Sequence, residues 1–307
     1  VQDLLLIFIN NMIPVLAIAS VGFYLRRRFT IDPKTVSTMM FHVFSPALTF
    51  HSLFYSDISG KDFLRVYGST IMLLLTIAMI GFVVLKVQKV EGIERAATLL
   101  ATHAFNGGNF GLSIVLFAFG EEALSWAVIC FVAGTTVTYT LGVYVASNGR
   151  ASIKDSLLNV LKTPPFLALL FTFLLKGLGV TELPVPIERT TQLLRDAAIP
   201  LMLVLLGLQL GQFARFDRFR LIFTGVSLRL LVAPILAVIL AGLMGITGDA
   251  RLAFITQAGM PTAVVTIVLA TEFDTDRDLA LNLIMVSTLL SPITLSVLIY
   301  LLQNGVI

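Results

Sequence analysis

The sequence predicts an all-α polytopic membrane protein: ten transmembrane helices forming two inverted five-helix repeats, with helices 4 and 9 broken where they cross. Three observations lead there. Of the 307 residues, 57% are hydrophobic and 13% charged, with a mean hydropathy of +0.95; one soluble core cannot enclose that much apolar surface, and lipid can. The apolar residues fall into ten segments of membrane-spanning length. The prolines, glycines and asparagines that interrupt these segments recur at a spacing of about half the chain.

A span takes roughly 20 predominantly apolar residues. The ten segments are approximately 4–25, 36–55, 65–87, 95–118, 122–146, 158–179, 190–212, 219–246, 250–272 and 277–302. The first contains Asn10, Asn11 and Pro14 and is followed, not preceded, by Arg26, Arg27 and Arg28, so it reads as a retained span and not a cleaved leader. The connections are short, and the longest, 147–157, is too small for a soluble domain. Residues 1–150 hold the first five spans and residues 151–307 the second five.

Lys and Arg mark the cytoplasmic loops. Fourteen of the 21, including Arg26, Lys86, Arg95, Arg150, Arg215 and Arg218, fall on one side. Six fall on the other (Lys61, Arg65, Lys176, Arg189, Arg195 and Arg251), and Arg229 lies inside a span. The expectation is a plasma-membrane protein, in a bacterium the inner membrane, with both termini outside. The net charge of +3 forms no basic stripe on a soluble face, which argues against nucleic acid as a partner. The single Cys130 excludes a disulfide framework and disfavours a thiolate metal site.

The halves resemble each other. Ile13-Pro14 stands against Pro164-Pro165, Ser45-Pro46 against Ile199-Pro200, and Asn106 against Pro261, at offsets clustering around 155 residues. A repeat with an odd number of spans re-enters the membrane upside down, and inverted repeats are a signature of secondary transporters.

The fourth span contains Thr102-His103-Ala104-Phe105-Asn106-Gly107-Gly108-Asn109-Phe110-Gly111, poor helix-forming material for bilayer depth. The ninth contains Gln257-Ala258-Gly259-Met260-Pro261-Thr262, where proline removes a donor and clashes with the preceding turn. Non-helical backbone survives in a membrane only where it lines a cavity or is packed in protein. Each break exposes a half-helix N-terminus whose free N–H groups and partial positive charge suit an anion. Asn106 and Asn109 add amide donors without a buried charge. The expected substrate site is therefore Asn106, Gly107, Gly108, Asn109, Gln257, Gly259, Pro261 and Thr262. The other reading of the same residues is close helix packing through glycines, with asparagines bridging neighbours.

Asn-Gly-Gly-Asn-Phe-Gly-Leu (106–112) resembles the signature of the auxin efflux carrier family, which includes plant PIN-FORMED proteins and bacterial organic-acid carriers; Ser113 stands where that family usually has proline. The resemblance continues through Ser45-Pro46-Ala47-Leu48, Ile199-Pro200-Leu201 to Leu210-Gly211, Leu230-Leu231-Val232-Ala233-Pro234 and Ala258-Gly259-Met260-Pro261-Thr262-Ala263. It implies a fold like that of bile-acid symporters and sodium/proton antiporters. Spans one, two, six and seven would form a scaffold, and spans three to five and eight to ten a mobile transport domain. A homodimer through the scaffold is implied by the resemblance alone.

Other polar residues in the spans have two readings each. Arg229 either compensates a bound anion or tethers the crossing, or else snorkels or pairs with a nearby carboxylate or helix end. His103, three residues before Asn106 and on the same helix face, suggests proton linkage; the alternative is a packed core histidine. Asp196, beside Arg195, is either a proton sensor or a hydrated ion pair. Gln209, Asn10 and Asn11 are expected to line the cavity as neutral hydrogen-bonding groups. Spans three, four, five, eight and ten carry no central carboxylate, which argues against cation exchange. His42, His51 and His103 share no metal-ligand spacing, and no ATP-binding or hydrolase motif is present, so neither a metal, a cofactor nor an enzyme is expected. The function so indicated is elevator-type secondary transport of a small organic anion, most simply export, with proton coupling open. The alternative is sodium-coupled symport of an amphipathic anion.

Overall fold

The computed structural model describes residues 2–147, 149, 150, 152–210 and 217–307. Gly211 and Arg215, used above for the family pattern and the charge asymmetry, lie outside the described residues. Among those described, twelve helical runs follow one another. They are α1 (Asp3–Arg28), α2 (33–54), α3 (Gly60–Val87), α4 (Gly92–His103), α5 (Gly107–Ala146) and α6 (Ile153–Val160). Then come α7 (Pro164–Gly177), α8 (Val185–Leu210), α9 (Phe219–Leu243), α10 (Gly248–Ala258), α11 (Val265–Glu272) and α12 (Arg277–Gln303). No strand is present among the described residues; the one β-type pairing is an isolated antiparallel bridge between Phe105 and Thr262.

Six runs, α1, α3, α5, α8, α9 and α12, are long and apolar enough to cross a bilayer. Between 28% and 50% of each apolar window is buried in protein, so half or more faces outward, a surface suited to lipid and not to water. The fourth and ninth expected spans are interrupted, as their composition predicts, and each is divided between two runs. The turn between expected spans four and five is Gly120, whose φ of 87° and ψ of −170° are open to glycine alone. The sixth expected span, 158–179, is shorter than anticipated. It begins at Pro164-Pro165, because proline is pre-organised for the first helical turn and cannot sit further in without losing a hydrogen bond. The preceding connection contains α6.

Five single wide turns, with hydrogen bonds to the fifth residue back, punctuate the helices at Phe8–Met12, Met40–Phe44, Gly107–Gly111, Thr138–Gly142 and Leu228–Val232. Three lead directly into Pro14, Pro46 and Pro234. A proline ring collides with the carbonyl four residues earlier, and widening that turn removes the collision without ending the helix.

The approaches to the two interrupted helices share one backbone path. The N–H of Val90 donates to Leu85 O at 2.9 Å and that of Ile246 to Ala241 O at 2.9 Å, closing α3 and α9 with the same left-handed C-terminal turn. Lys89 (φ 58°) corresponds to Gly245 (φ 61°), and Gly92 (φ 61°) to Gly248 (φ 57°). Between them Glu91 and Thr247 have φ/ψ of −133°/173° and −131°/172°.

Helix packing uses small residues where backbones must touch. A Cβ on Gly207 of α8 would run into the carbonyl oxygen of Ala19 on α1, and one on Gly22 of α1 into that of Val204. In lipid, such close approach supplies the van der Waals contact that a solvent-driven hydrophobic effect would supply in water. α8 also packs on α2, which packs on α7; α5 packs on α3 and α10, and α12 on α4 and α9. Charges stay at the ends. Arg218 pairs with Glu94 at the start of α4 (3.3 Å) and with Asp276, whose carboxylate caps α12 through the N–H of Leu279. Arg195 of α8 pairs with Glu121 of α5 and with Asp196.

Candidate functional site at the helix crossing

α4 stops at His103, and Ala104 turns the chain into an extended course (φ −81°, ψ 105°). It meets the interruption between α10 and α11 running the other way. The N–H of Asn106 donates to Pro261 O at 2.7 Å, and that of Ala263 donates to Ala104 O at 2.9 Å. Two lengths of unwound backbone, each with polar groups that lipid cannot satisfy, thus satisfy each other. Thr262 completes the second interruption: its N–H donates to Ser287 Oγ of α12 (3.1 Å) and its hydroxyl to Ala101 O (2.9 Å).

Arg229 lies behind this crossing, fully buried. Its Nη1 donates to Thr102 O at 3.2 Å and its Nη2 to Ala258 O, with the guanidinium 5.9 Å from the centre of the Phe105 ring. Those two oxygens belong to the last turns of α4 and α10. Helix C-termini carry orphan carbonyls and a partial negative charge, so one cation serves both half-helix ends. Of the readings of Arg229, the geometry shows pairing with helix ends, and because it joins two of them the same contact ties the crossing together.

The polar groups facing forward are different in kind. Asn106 is buried and its Nδ2 has no partner among the described residues. Gln257, also buried, places its Nε2 3.4 Å from Gly107 O and 3.5 Å from Ala127 O, while its Oε1 has no donor among the described residues. Gly108 and Asn109 are half-open. They lie in the first turn of α5, and no acceptor outside that helix is found for the N–H of Gly108 or Asn109 among the described residues. Asn109 Nδ2 points across to Gln209 Oε1 of α8 at 3.5 Å.

The family profile of membrane transport proteins matches residues 7–156 and 147–299. The chain belongs to the membrane transport protein family. It is similar to an uncharacterized transporter of Methanothermobacter thermautotrophicus, 30% identical over 299 residues, or 93% of this chain and 95% of the relative. An uncharacterized transporter of Methanocaldococcus jannaschii is 26% identical over 278 residues, 88% of this chain and 90% of that one. The apolar helices and the family together make this chain a membrane transporter.

Within the transporter, most of the expected site residues converge. Asn106, Gly107, Gly108, Gln257, Pro261 and Thr262 surround the bridge between the interruptions, and Asn109 opens from its edge. Gly259 is buried against α12, where a Cβ would come within 2.7 Å of Leu298, so its smallness serves packing. His103 requires a correction. It was expected to share a helix face with Asn106, but α4 ends at His103, and Asn106 is beyond the helix where that spacing rule has no force. His103 is fully buried, its Nδ1 2.7 Å from Leu99 O. Asp196 is exposed and ion-paired with Arg195 instead of facing the crossing. Asn11 donates to Ile7 O of its own helix at 2.9 Å, and Asn10 is exposed. Phe131 and Ser287 were not anticipated as parts of the crossing, whereas Phe105 lies within the interrupted stretch itself. The Phe105 ring fills the space left by Gly107 and Gly134, and Phe131 covers Gly108. Nothing in the pattern around Ser287 distinguishes it from other serines of α12.

Proposed function

We propose that this transporter is a secondary carrier of a small organic anion. The carboxylate is held at the start of α5 by Asn109, Asn106 and the N–H groups around Gly108, with Gln257, Pro261 and Thr262 framing the site. The observation that carries this reading is the pairing of accessible donors with the absence of a competing acid. Gly108 and Asn109 are half-open, their N–H groups take no acceptor outside their own helix among the described residues, and the sequence from Ala96 to Gly120 contains no Asp or Glu. Oriented N–H groups at a helix start favour an anion.

The mechanism proposed is an elevator. α1, α2, α7 and α8 form the scaffold, and α3–α5 with α9–α12 the moving bundle. Residues 1–150 and 151–307 constitute two inverted five-span repeats, a reading supported by the matched backbone paths into α4 and α10. The basic loops favour a cytoplasmic side that leaves both termini outside, in the plasma membrane or bacterial inner membrane. A bacterial auxin-efflux-like exporter, working as a homodimer with proton coupling, is the form this proposal takes.

Two experiments test it. Thermal-shift screening against small organic acids should raise the melting temperature with a carboxylate, because ligand binding to the native state stabilises it by mass action. In Asn109→Ala, a labelled carboxylate bound by the wild-type protein should no longer bind while the melting temperature is retained. Unchanged binding in that variant would overturn the site.

A further inference from the structure

Resting on the anion reading above, we infer that Gln209 is the second ligand of the carboxylate, forming with Asn109 a clamp of two neutral amides that closes on one monocarboxylate head group.

From Ala197 to Leu210, Gln209 is the only side chain able to hydrogen-bond. It is half-buried, and the group it meets is Asn109, on the half-open edge of the crossing. Their separation of 3.5 Å is longer than the roughly 2.7–3.2 Å of an ordinary N–H···O hydrogen bond. The contact is therefore easily exchanged for a better acceptor. The contact shows that the Asn109 Nδ2 hydrogen is open to an acceptor on the side facing Gln209.

The backbone beneath Gln209 cannot retreat. Two residues earlier, Gly207 lies against the Ala19 carbonyl of α1, and a Cβ there would overlap it. The terminal amide, in contrast, turns about a soft two-fold torsion. Turned over, it presents Nε2 in place of Oε1. One carboxylate then accepts a hydrogen from Asn109 Nδ2 on its first oxygen and from Gln209 Nε2 on its second. No proton is transferred and no charge is buried beyond the substrate's own. The other strong donor nearby, Arg229, already holds Thr102 O and Ala258 O behind the crossing, so anion selectivity here falls to amides.

The test uses the full chain in detergent micelles, with equilibrium binding of radiolabelled acetate, lactate and benzoate. Gln209→Glu keeps the shape but supplies acceptors and a negative charge. Its affinity for the monocarboxylate bound best by the wild-type protein should fall by about 30-fold or more, the effect of setting like charges together. Gln209→Leu removes one donor and should weaken binding by about five- to ten-fold. Melting temperatures taken alongside separate lost binding from lost fold, and if the glutamate variant does not fold the leucine variant carries the test. Binding within two-fold of wild type in both variants, while Asn109→Ala loses it, would overturn the clamp and leave the anion site intact. Tighter binding in Gln209→Leu would also overturn it, marking Gln209 as a competitor of the substrate. Failure of the wild-type protein to bind any of the three, while another organic acid raises its melting temperature, would overturn the clamp alone; if no organic acid binds, the anion reading falls with it.

Discussion

The two interruptions at the crossing arise from similar sequence logic and end in opposite states. The second, between α10 and α11, is closed: residues 259–264 are buried, Thr262 spends both its N–H and its hydroxyl on protein, and the Ala263 N–H is taken by Ala104 O. The first, between α4 and α5, is closed only at its back, where Asn106 N–H meets Pro261 O. Its front edge, Gly108 and Asn109, is half-open, with N–H groups that take no acceptor outside their own helix among the described residues. A broken helix is thus not a binding site by virtue of being broken. On the proposed anion reading, the asparagine–glycine side, which retains unspent donors, is the site, and the proline side is its support.

Four substitutions break or sharpen this comparison. The largest effect belongs to Arg229→Met. Arg229 serves both interruptions, and its removal leaves two buried helix-end carbonyls without their charged donor; stability should fall by about 3–5 kcal/mol, read as a large drop in melting temperature or loss of monodisperse protein. Survival at the wild-type melting temperature would mean the tether is dispensable. Next comes Asn109→Ala, on the open side. Carboxylate affinity should fall by about 30-fold or more, while stability changes by less than about 0.5 kcal/mol, as expected where no buried partner is left behind.

Thr262→Val tests the closed side with the reverse pattern. Loss of its hydroxyl bond to Ala101 O should cost about 1 kcal/mol of stability and leave carboxylate affinity within about two-fold. If affinity collapses with stability unchanged, the two sides have been assigned the wrong way round. The smallest effect is expected for Glu121→Gln. Its partly solvated pair with Arg195 joins α5 to α8 away from both interruptions, and exposed pairs contribute about 0–1 kcal/mol. Carboxylate binding should be unaffected, measured in the same assay.

Much of the crossing was legible because glycine, proline and asparagine impose their preferences locally. Asn106-Gly107-Gly108-Asn109 and Gly259-Met260-Pro261 are poor helix-forming sequences, and here one helix ends and the next begins around each. The wide turns before Pro14, Pro46 and Pro234 answer the same local clash. Reading stopped where a residue's role depends on a distant partner. Arg229 is 127 residues from Thr102, and no spacing rule indicates which carbonyls it will meet. Ser287 serves Thr262 by lying opposite it on another helix. His103 was misread because a helical spacing was applied across the point where the helix ends.

The sequence by itself determined that this chain lives in lipid, that it is helical, and where its helices break. These follow from composition and from backbone preferences that act within a few residues. Only the tertiary structure decided that the two interruptions face each other, that Arg229 holds both from behind, and that Asn109 is left open toward Gln209. Those outcomes depend on which polar groups find partners across the bundle. In a medium without water to complete the hydrogen bonds, that distribution decides which polar groups are spent on protein and which are left open.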